Sequence, residues 1–297
     1  MPKSFDLILR MRDGESMKNK YRFSIITVSY NAEKTIEQAI QSVISQTYDN
    51  VEYIIIDGMS TDNTVDIIRR YESSIFYWVS EKDDGIYDAM NKGIDVATGD
   101  YIYFLGADDC LFQKNTIQNV ADRLNDDIDV LSAGVYLVDE GLKVERYMDG
   151  SFAEEKNRFN GLMIPHQGMF VRHCLFRHKK FDLRYKIASD YDLFLRLYLN
   201  PTITFSFQQM VIAYYSSGGI STCSYESNKE YIDIMVKHHL DDKIISYVRS
   251  RFNSPWKQSI KSLLRRMGIM KFFLKRLGAR EHACEWGLCR WCGYKEA

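Results

Sequence analysis

Four short apolar runs, at 23–28, 51–57, 75–79 and 101–105, recur through the first third of the chain with amphipathic stretches between them. They are rich in Ile, Val and Tyr and lack the alternation of a half-solvated strand, so each reads as a strand buried on both faces. Ile36, Ile40, Val43 and Ile44 fall at helical spacing after the first run, and Val65, Ile68 and Tyr71 after the second. Asp62-Asn63-Thr64 supplies a cap for that second helix. A third helix is predicted over 86–96. Strands alternating with helices predict βαβ units and a parallel sheet. A helix near 115–124, strands over 128–133 and 166–171, and a helix over 188–198 with Leu193, Phe194, Leu197 and Tyr198 apolar continue the pattern. Residues 145–165 show little periodicity and are expected to form a loop, an acceptor-side lid. Gly218-Gly219 marks a turn.

The 297 residues, 45% apolar and with a net charge of −1, fit one large α/β domain, expected over 22–240. Residues 1–21 read as an unstructured extension lacking the apolar region of a signal peptide, and Met17 is a candidate start. Six cysteines without such a signal suggest a reducing, cytoplasmic setting. No run approaches the ~18 apolar residues of a membrane span. From Arg249 to Arg280 there are ten Lys/Arg and no acid. Residues 241–297 therefore read as a basic amphipathic extension, with Trp256, Ile260, Leu263, Leu264, Met267, Met270, Leu274 and Leu277 near one face. That pattern fits peripheral contact with the inner face of the cytoplasmic membrane through 249–280, and equally a helix packed on the body. No nucleic-acid partner is expected. Cys284, Cys289 and Cys292, with His282, match no standard zinc spacing.

The strand ends carry the chemistry. Thr27, Ser29 and Tyr30 close the first run, Asp57 the second; Asp83 and Asp84 follow the third, and Asp108 and Asp109 the fourth. Parallel strands bring these ends to one edge, where open α/β sheets bind ligands. No Walker or GxGxxG loop is present to cradle phosphates. A divalent cation on paired carboxylates is the alternative, and hard oxygen ligands suit Mg²⁺ or Mn²⁺. Asp57 is placed to accept hydrogen bonds from a base or ribose, and Tyr30 to pack on a base. His166, in Pro165-His166-Gln167-Gly168, reads as a second metal ligand or an acceptor contact.

Thr-Val-Ser-Tyr-Asn (27–31), Asp-Gly-Met-Ser-Thr-Asp-Asn-Thr (57–64) and Gly-Ala-Asp-Asp (106–109) resemble the donor-site motifs of family 2 glycosyltransferases. The resemblance covers about 23–220. It implies the GT-A fold, a Rossmann-like, mostly parallel sheet flanked by helices. The string Gly-Ile-Tyr-Asp-Ala-Met-Asn-Lys-Gly (85–93) is similar to a bacterial subgroup that builds colanic acid, O-antigen and capsular polysaccharides. The activity implied is an inverting, metal-dependent hexosyl or hexosaminyl transfer from a nucleotide-sugar donor, usually UDP-linked. Carried over by position, Thr27, Tyr30 and Asp57 contact the nucleoside and Asp84 sits by the base or ribose. Asp108 is the metal ligand of the DXD-type motif, and Asp109 lies near the donor sugar. Gly106 stands where that motif often begins with Asp. Met90 stands where many members have Arg, and Lys92 is expected to supply the charge. Ser189-Asp190-Tyr191-Asp192 matches the family's acidic catalytic motif, with Asp190 as the general base. Asp192, His166 and Gln167 are assigned to the acceptor, a glycan or lipid-linked oligosaccharide. A polyprenyl-phosphate sugar synthase and a non-catalytic nucleotide-sugar-binding scaffold remain alternatives.

Overall fold

The computed structural model describes residues 20–139, 141–150, 165–217, 225–252 and 269–281. The apolar runs become β1 (Phe23–Ser29), β2 (Val51–Asp57), β3 (Tyr77–Ser80) and β4 (Tyr101–Phe104), side by side and parallel in the order β3-β2-β1-β4. Period-two alternation splits their side chains into two cores. Phe23, Ile25, Tyr53 and Ile55 pack beneath α1 (Ile36–Ile44) and α2 (Thr64–Arg70). Ile26, Ile54 and Ile56 pack on the other face, against α3 (Ile86–Val96) and α5 (Ser189–Tyr198). The short β5 (Cys110–Leu111) and α4 (Thr116–Ala121) follow β4.

Beyond β4 the sheet changes direction. β8 (Met169–Arg172) runs antiparallel to β4, and β6 (Val130–Asp139) antiparallel to β8. β7 (Val144–Met148) returns as a hairpin on β6, so part of the expected 145–165 loop is strand. β9 (Phe205–Ser216), unpredicted, lies parallel to β6 with register shifts around Gly134. The sheet is thus mixed, with parallel pairing among β1–β4 and again between β6 and β9. The predicted strand over 166–171 begins with a 3₁₀ turn, His166–Gly168, before β8. Ile44 is solvent-exposed at the edge of α1.

Helices α6 (Tyr225–Lys237) and α7 (Asp242–Phe252) cover α5; Ile234, Met235, Ile245 and Val248 are buried in the same core as Tyr191 and Phe194. α8 (Ile269–Arg276) leads to β10 (Arg280–Glu281), which pairs with β7, where Arg280 meets the buried Glu145. Among the described residues no helix is long and apolar enough to cross a membrane. The expected N-terminal extension to residue 19, the lid over 151–164, the Gly218-Gly219 turn, the tail over 253–268 and the Cys284/Cys289/Cys292 cluster lie outside the described residues.

Candidate active site

The strand ends converge as the parallel order requires. Asp57 is fully buried at the end of β2, and its carboxylate accepts from Ser29 Oγ (2.9 Å), Ser60 N–H (2.9 Å), Ser60 Oγ (2.6 Å) and Ser80 Oγ (2.7 Å). These donors come from β1, the loop after β2, and β3, so Asp57 locks three strand ends together. With four donors on its two oxygens, this carboxylate is engaged within the framework of the strand ends. Thr27 is buried, and its hydroxyl accepts from Tyr53 O–H of β2 (3.1 Å) in the core beneath α1.

Tyr30, 65% exposed, stands at the lip of this edge. Beside it, a Cβ on Gly58 would come within 2.5 Å of Asp83 Oδ2 and 3.5 Å of the Tyr30 ring. Asp83, not Asp84, therefore turns its carboxylate toward the strand ends, and only glycine at 58 permits that approach. Asp84 is exposed; its backbone N–H donates to Asp88 Oδ2 (3.1 Å) and its carbonyl accepts from Lys186 Nζ (3.3 Å). Lys92 donates to the Lys82 carbonyl (2.8 Å) and pairs with Glu81 (2.8 Å) and Asp88 (3.6 Å). These contacts tie it to the start of α3. Two loop residues here hold left-handed backbone, Asn31 (φ 48°) and Met59 (φ 62°), a conformation that side chains other than Asn or Gly adopt at a cost.

Asp108 and Asp109 follow β4. A Cβ on Gly106 would meet Asp109 Oδ2 at 2.5 Å and Asp108 Oδ1 at 3.0 Å. The two carboxylates thus crowd over one glycine, and a side chain at 106 would require them to shift. Asp109, 3% exposed, accepts from Ser216 N–H (3.0 Å), Gly106 N–H (3.2 Å) and Gln167 Nε2 (3.1 Å). Burial, and then the charge of Asp108, push its carboxyl up to about 7. Two adjacent acids with neutral donors around the buried one suit a hard divalent cation. Among the described residues no group of three or more His, Cys, Asp or Glu side chains gathers for a metal.

The turn His166–Gly168 joins this edge to the next acid. Gln167 holds Asp109 through its side chain, while its carbonyl accepts from Tyr103 O–H (2.8 Å). Gln167 is therefore a tether on Asp109 rather than a side chain held out to an acceptor. One residue earlier, His166 Nδ1 lies 3.2 Å from Asp190 Oδ2. With one ring nitrogen engaged there, only Nε2 is left for the expected metal contact. Asp190, 8% exposed, sits in the first turn of α5, where the helix dipole favours an anion. Its Oδ1 lies 2.9 Å from the Tyr87 hydroxyl. Burial and the Asp190 charge raise that hydroxyl well above its ordinary value, so Tyr87 stays protonated.

Asp192, two residues on, points elsewhere. It is fully buried and accepts from Lys237 Nζ (2.6 Å) and His238 Nε2 (2.8 Å), with Arg196 NH1 at 3.8 Å. Asp192 forms an internal ion pair that fastens α6 to α5. Tyr87 was not singled out in the sequence, because Tyr87, Met90 and Ile94 read as one apolar helix face. Its hydroxyl is visible only once α3 and α5 are packed.

The sequence profile of glycosyl transferase family 2 matches residues 24–183. A PGL/p-HBAD biosynthesis glycosyltransferase of Mycobacterium bovis is 32% identical over 206 residues, 67% of this chain and 78% of its own length. S. aureus TarS 1–349, solved in complex with UDP-GlcNAc, superposes with a TM-score of 0.59 at 21% identity, over 78% of this chain and 71% of that one. The mannosyltransferase PcManGT from Pyrobaculum calidifontis, solved with GDP-Man and Mn²⁺, gives a TM-score of 0.57 at 18% identity over 76% and 66%.

Proposed function

The chain belongs to glycosyl transferase family 2 and has the GT-A fold, and on that premise we propose that it moves a sugar from a nucleotide-diphosphate sugar to a hydroxyl of a glycan or lipid-linked saccharide, with inversion at the anomeric carbon. The donor is proposed to be UDP-linked and the sugar a hexose or hexosamine. The observation that carries this reading is the turn His166–Gly168, which contacts Asp109 through Gln167 and Asp190 through His166. A donor edge and a lone carboxylate base are thereby joined by three consecutive residues. An inverting transfer needs that pairing, because one base deprotonates the acceptor hydroxyl while the leaving group is held on the other side.

In this mechanism Tyr30 and Asp83 border the nucleoside at the ends of β1 and β3. Asp108, with Asp109 behind it, would hold Mg²⁺ or Mn²⁺. When bound, such an ion supplies Lewis-acid neutralisation of diphosphate charge. Asp190 takes the acceptor's proton on its carboxylate. His166 Nδ1 and the Tyr87 hydroxyl lie against the two oxygens of that carboxylate, and Tyr87 offers an oxygen to the acid form once the proton has arrived. The basic stretch 249–280 is proposed to bring the enzyme to an anionic membrane surface on the cytoplasmic side, where a lipid-linked acceptor would lie.

The reading is tested with a panel of UDP-glucose, UDP-galactose, UDP-N-acetylglucosamine and GDP-mannose, each with Mg²⁺, Mn²⁺ or EDTA. Thermal stabilisation and nucleotide release are followed, and product configuration is read by NMR. Cation-dependent stabilisation and turnover by one donor are expected. No effect of any donor with either ion would remove the proposal, and a product of retained configuration would remove the single-base mechanism.

A further inference from the structure

The helix that carries Asp190 begins without a cap of its own. Ala188 occupies the cap position, and no side chain there accepts from the first N–H groups. Such groups are normally satisfied by a local Ser, Thr, Asp or Asn. Within the helix, Tyr191 N–H donates to Asp190 Oδ1 (2.9 Å), and the backbone that leads into it is held from α6. Glu230 Oε1 accepts from Lys186 N–H (2.8 Å), and Oε2 accepts from Ile187 N–H (2.8 Å) and Ala188 N–H (2.9 Å). Three consecutive backbone donors thus converge on one ionised side chain, and charge-assisted bonds of this kind are the stronger class.

The geometry of one peptide unit links this contact to the chemistry. The peptide between Ile187 and Ala188 presents its N–H to Glu230 Oε2 (2.9 Å) and its carbonyl to the Tyr87 hydroxyl (2.7 Å). Tyr87 in turn lies 2.9 Å from Asp190 Oδ1. Tyr87 has a single hydrogen for two acceptors. With that hydrogen directed to the Ile187 carbonyl, the Tyr87 oxygen is open to accept a hydrogen bond from the Asp190 carboxyl once that carboxyl is protonated. Rotation of the 187–188 peptide would withdraw that carbonyl and change what Tyr87 offers Asp190. Glu230 is the side chain that opposes the rotation. The same segment reaches the donor side as well, since Lys186 Nζ donates to the Asp84 carbonyl (3.3 Å).

We propose that Glu230 is a positioning residue for Asp190, acting through the Ile187–Ala188 peptide and the Tyr87 hydroxyl. This inference rests on the reading of Asp190 as the base. It assigns a role to a residue beyond the profile match, which ends at 183. Misplacing a catalytic group by about 1 Å can cost roughly 100-fold in rate. Glu230→Ala is therefore expected to lower kcat by about 10–100-fold, while leaving the donor KM and the affinity for UDP with Mn²⁺ within about twofold. Glu230→Gln, which keeps one acceptor oxygen, should fall between Glu230→Ala and the wild type.

The experiment uses the full chain and the nucleotide sugar of the panel above that it turns over fastest. Glu230→Ala, Glu230→Gln, Tyr87→Phe and Asp190→Asn are compared for kcat, KM, UDP affinity and amide hydrogen exchange at 186–188. Faster exchange at those three amides in the Glu230 variants, a fall confined to kcat, and no further loss when Glu230→Gln is added to Asp190→Asn would support the proposal. Faster exchange with kcat within twofold of the wild type would overturn it, leaving Asp190 as the base if Asp190→Asn is inactive. Full turnover by Asp190→Asn would overturn the base assignment and this inference together. If Glu230→Ala does not fold, the kcat–KM split of Glu230→Gln decides.

Discussion

Asp109 at the donor edge and Asp192 at the junction of α5 with α6 are equally sealed, at 3% and 0% exposure, yet their surroundings differ in kind. Burial acts to raise both carboxyls. At Asp192, hydrogen bonds from His238 and Lys237 outweigh it and hold the carboxyl below its ordinary range. At Asp109 the hydrogen-bond donors described are neutral, Asp108 adds a second negative charge, and the carboxyl rises to about 7. A buried acid that brings its own cations is framework, because its charge is already compensated. A buried acid left with amide donors and a second acid beside it is a place where a cation from outside lowers the energy. The contrast separates donor chemistry from scaffold more sharply than the identity of either residue.

The largest expected effect breaks the donor side. Asp108→Ala should weaken UDP binding in Mn²⁺ by more than about 100-fold, since even outer-shell changes at metal sites cost 10–100-fold. Isothermal titration measures this, and binding kept within threefold would put the cation elsewhere. The scaffold side breaks differently. Lys237→Ala leaves Asp192 buried with fewer partners and should cost about 3 kcal/mol, a fall in Tm of about 5–10 °C, with the UDP affinity unchanged. An unaltered Tm would mean that His238 alone compensates the charge.

The pH dependence should then have opposite signs at the two sites. Asp109 is raised, so in EDTA its contribution to stability is intact below about pH 4 and is lost as pH climbs through about 7. Asp109→Asn should gain on the wild type over that window, by at most about 1.4 kcal/mol per pH unit. Asp192 is lowered, so its contribution is present above about pH 4 and is lost as pH falls further. Asp192→Asn should be less stable than the wild type at neutral pH and converge with it in acid. Slopes of the same sign in urea melts from pH 3 to 8 would dissolve the distinction. The smallest effect is expected at Lys92, whose partners are Glu81, Asp88 and the Lys82 carbonyl. Lys92→Ala should change turnover less than about twofold, as suits a mostly local surface ion pair.

The donor half was legible because its signals are local. Each buried strand is a contiguous apolar run, and each acid stands within a few residues of its strand's end. The partners of Asp57, Lys92 and Asp192 are not legible in this way, because a carboxylate or ammonium can meet groups far off in the chain, and Lys237 lies 45 residues from Asp192. Strand β9 escaped notice because it pairs with β6 across a long separation, with a break in register where Gln208 and Gln209 interrupt the apolar pattern. Tyr87 and Glu230 are hidden for the same reason, since they meet the segment around Asp190 across 103 and 42 residues. Sequence periodicity reports which face of an element is buried. It does not report which polar atom on that face meets which.

The central claim is that donor capture and proton transfer reside in separate acids, Asp108 with Asp109 on one side and Asp190 on the other. The most direct measurement sets UDP affinity in Mn²⁺ beside nucleotide-sugar turnover for Asp190→Asn. Affinity within about twofold of the wild type, with turnover reduced by about 10²–10⁴-fold, is the predicted result. Turnover close to the wild type, or loss of UDP affinity in step with turnover, would contradict it.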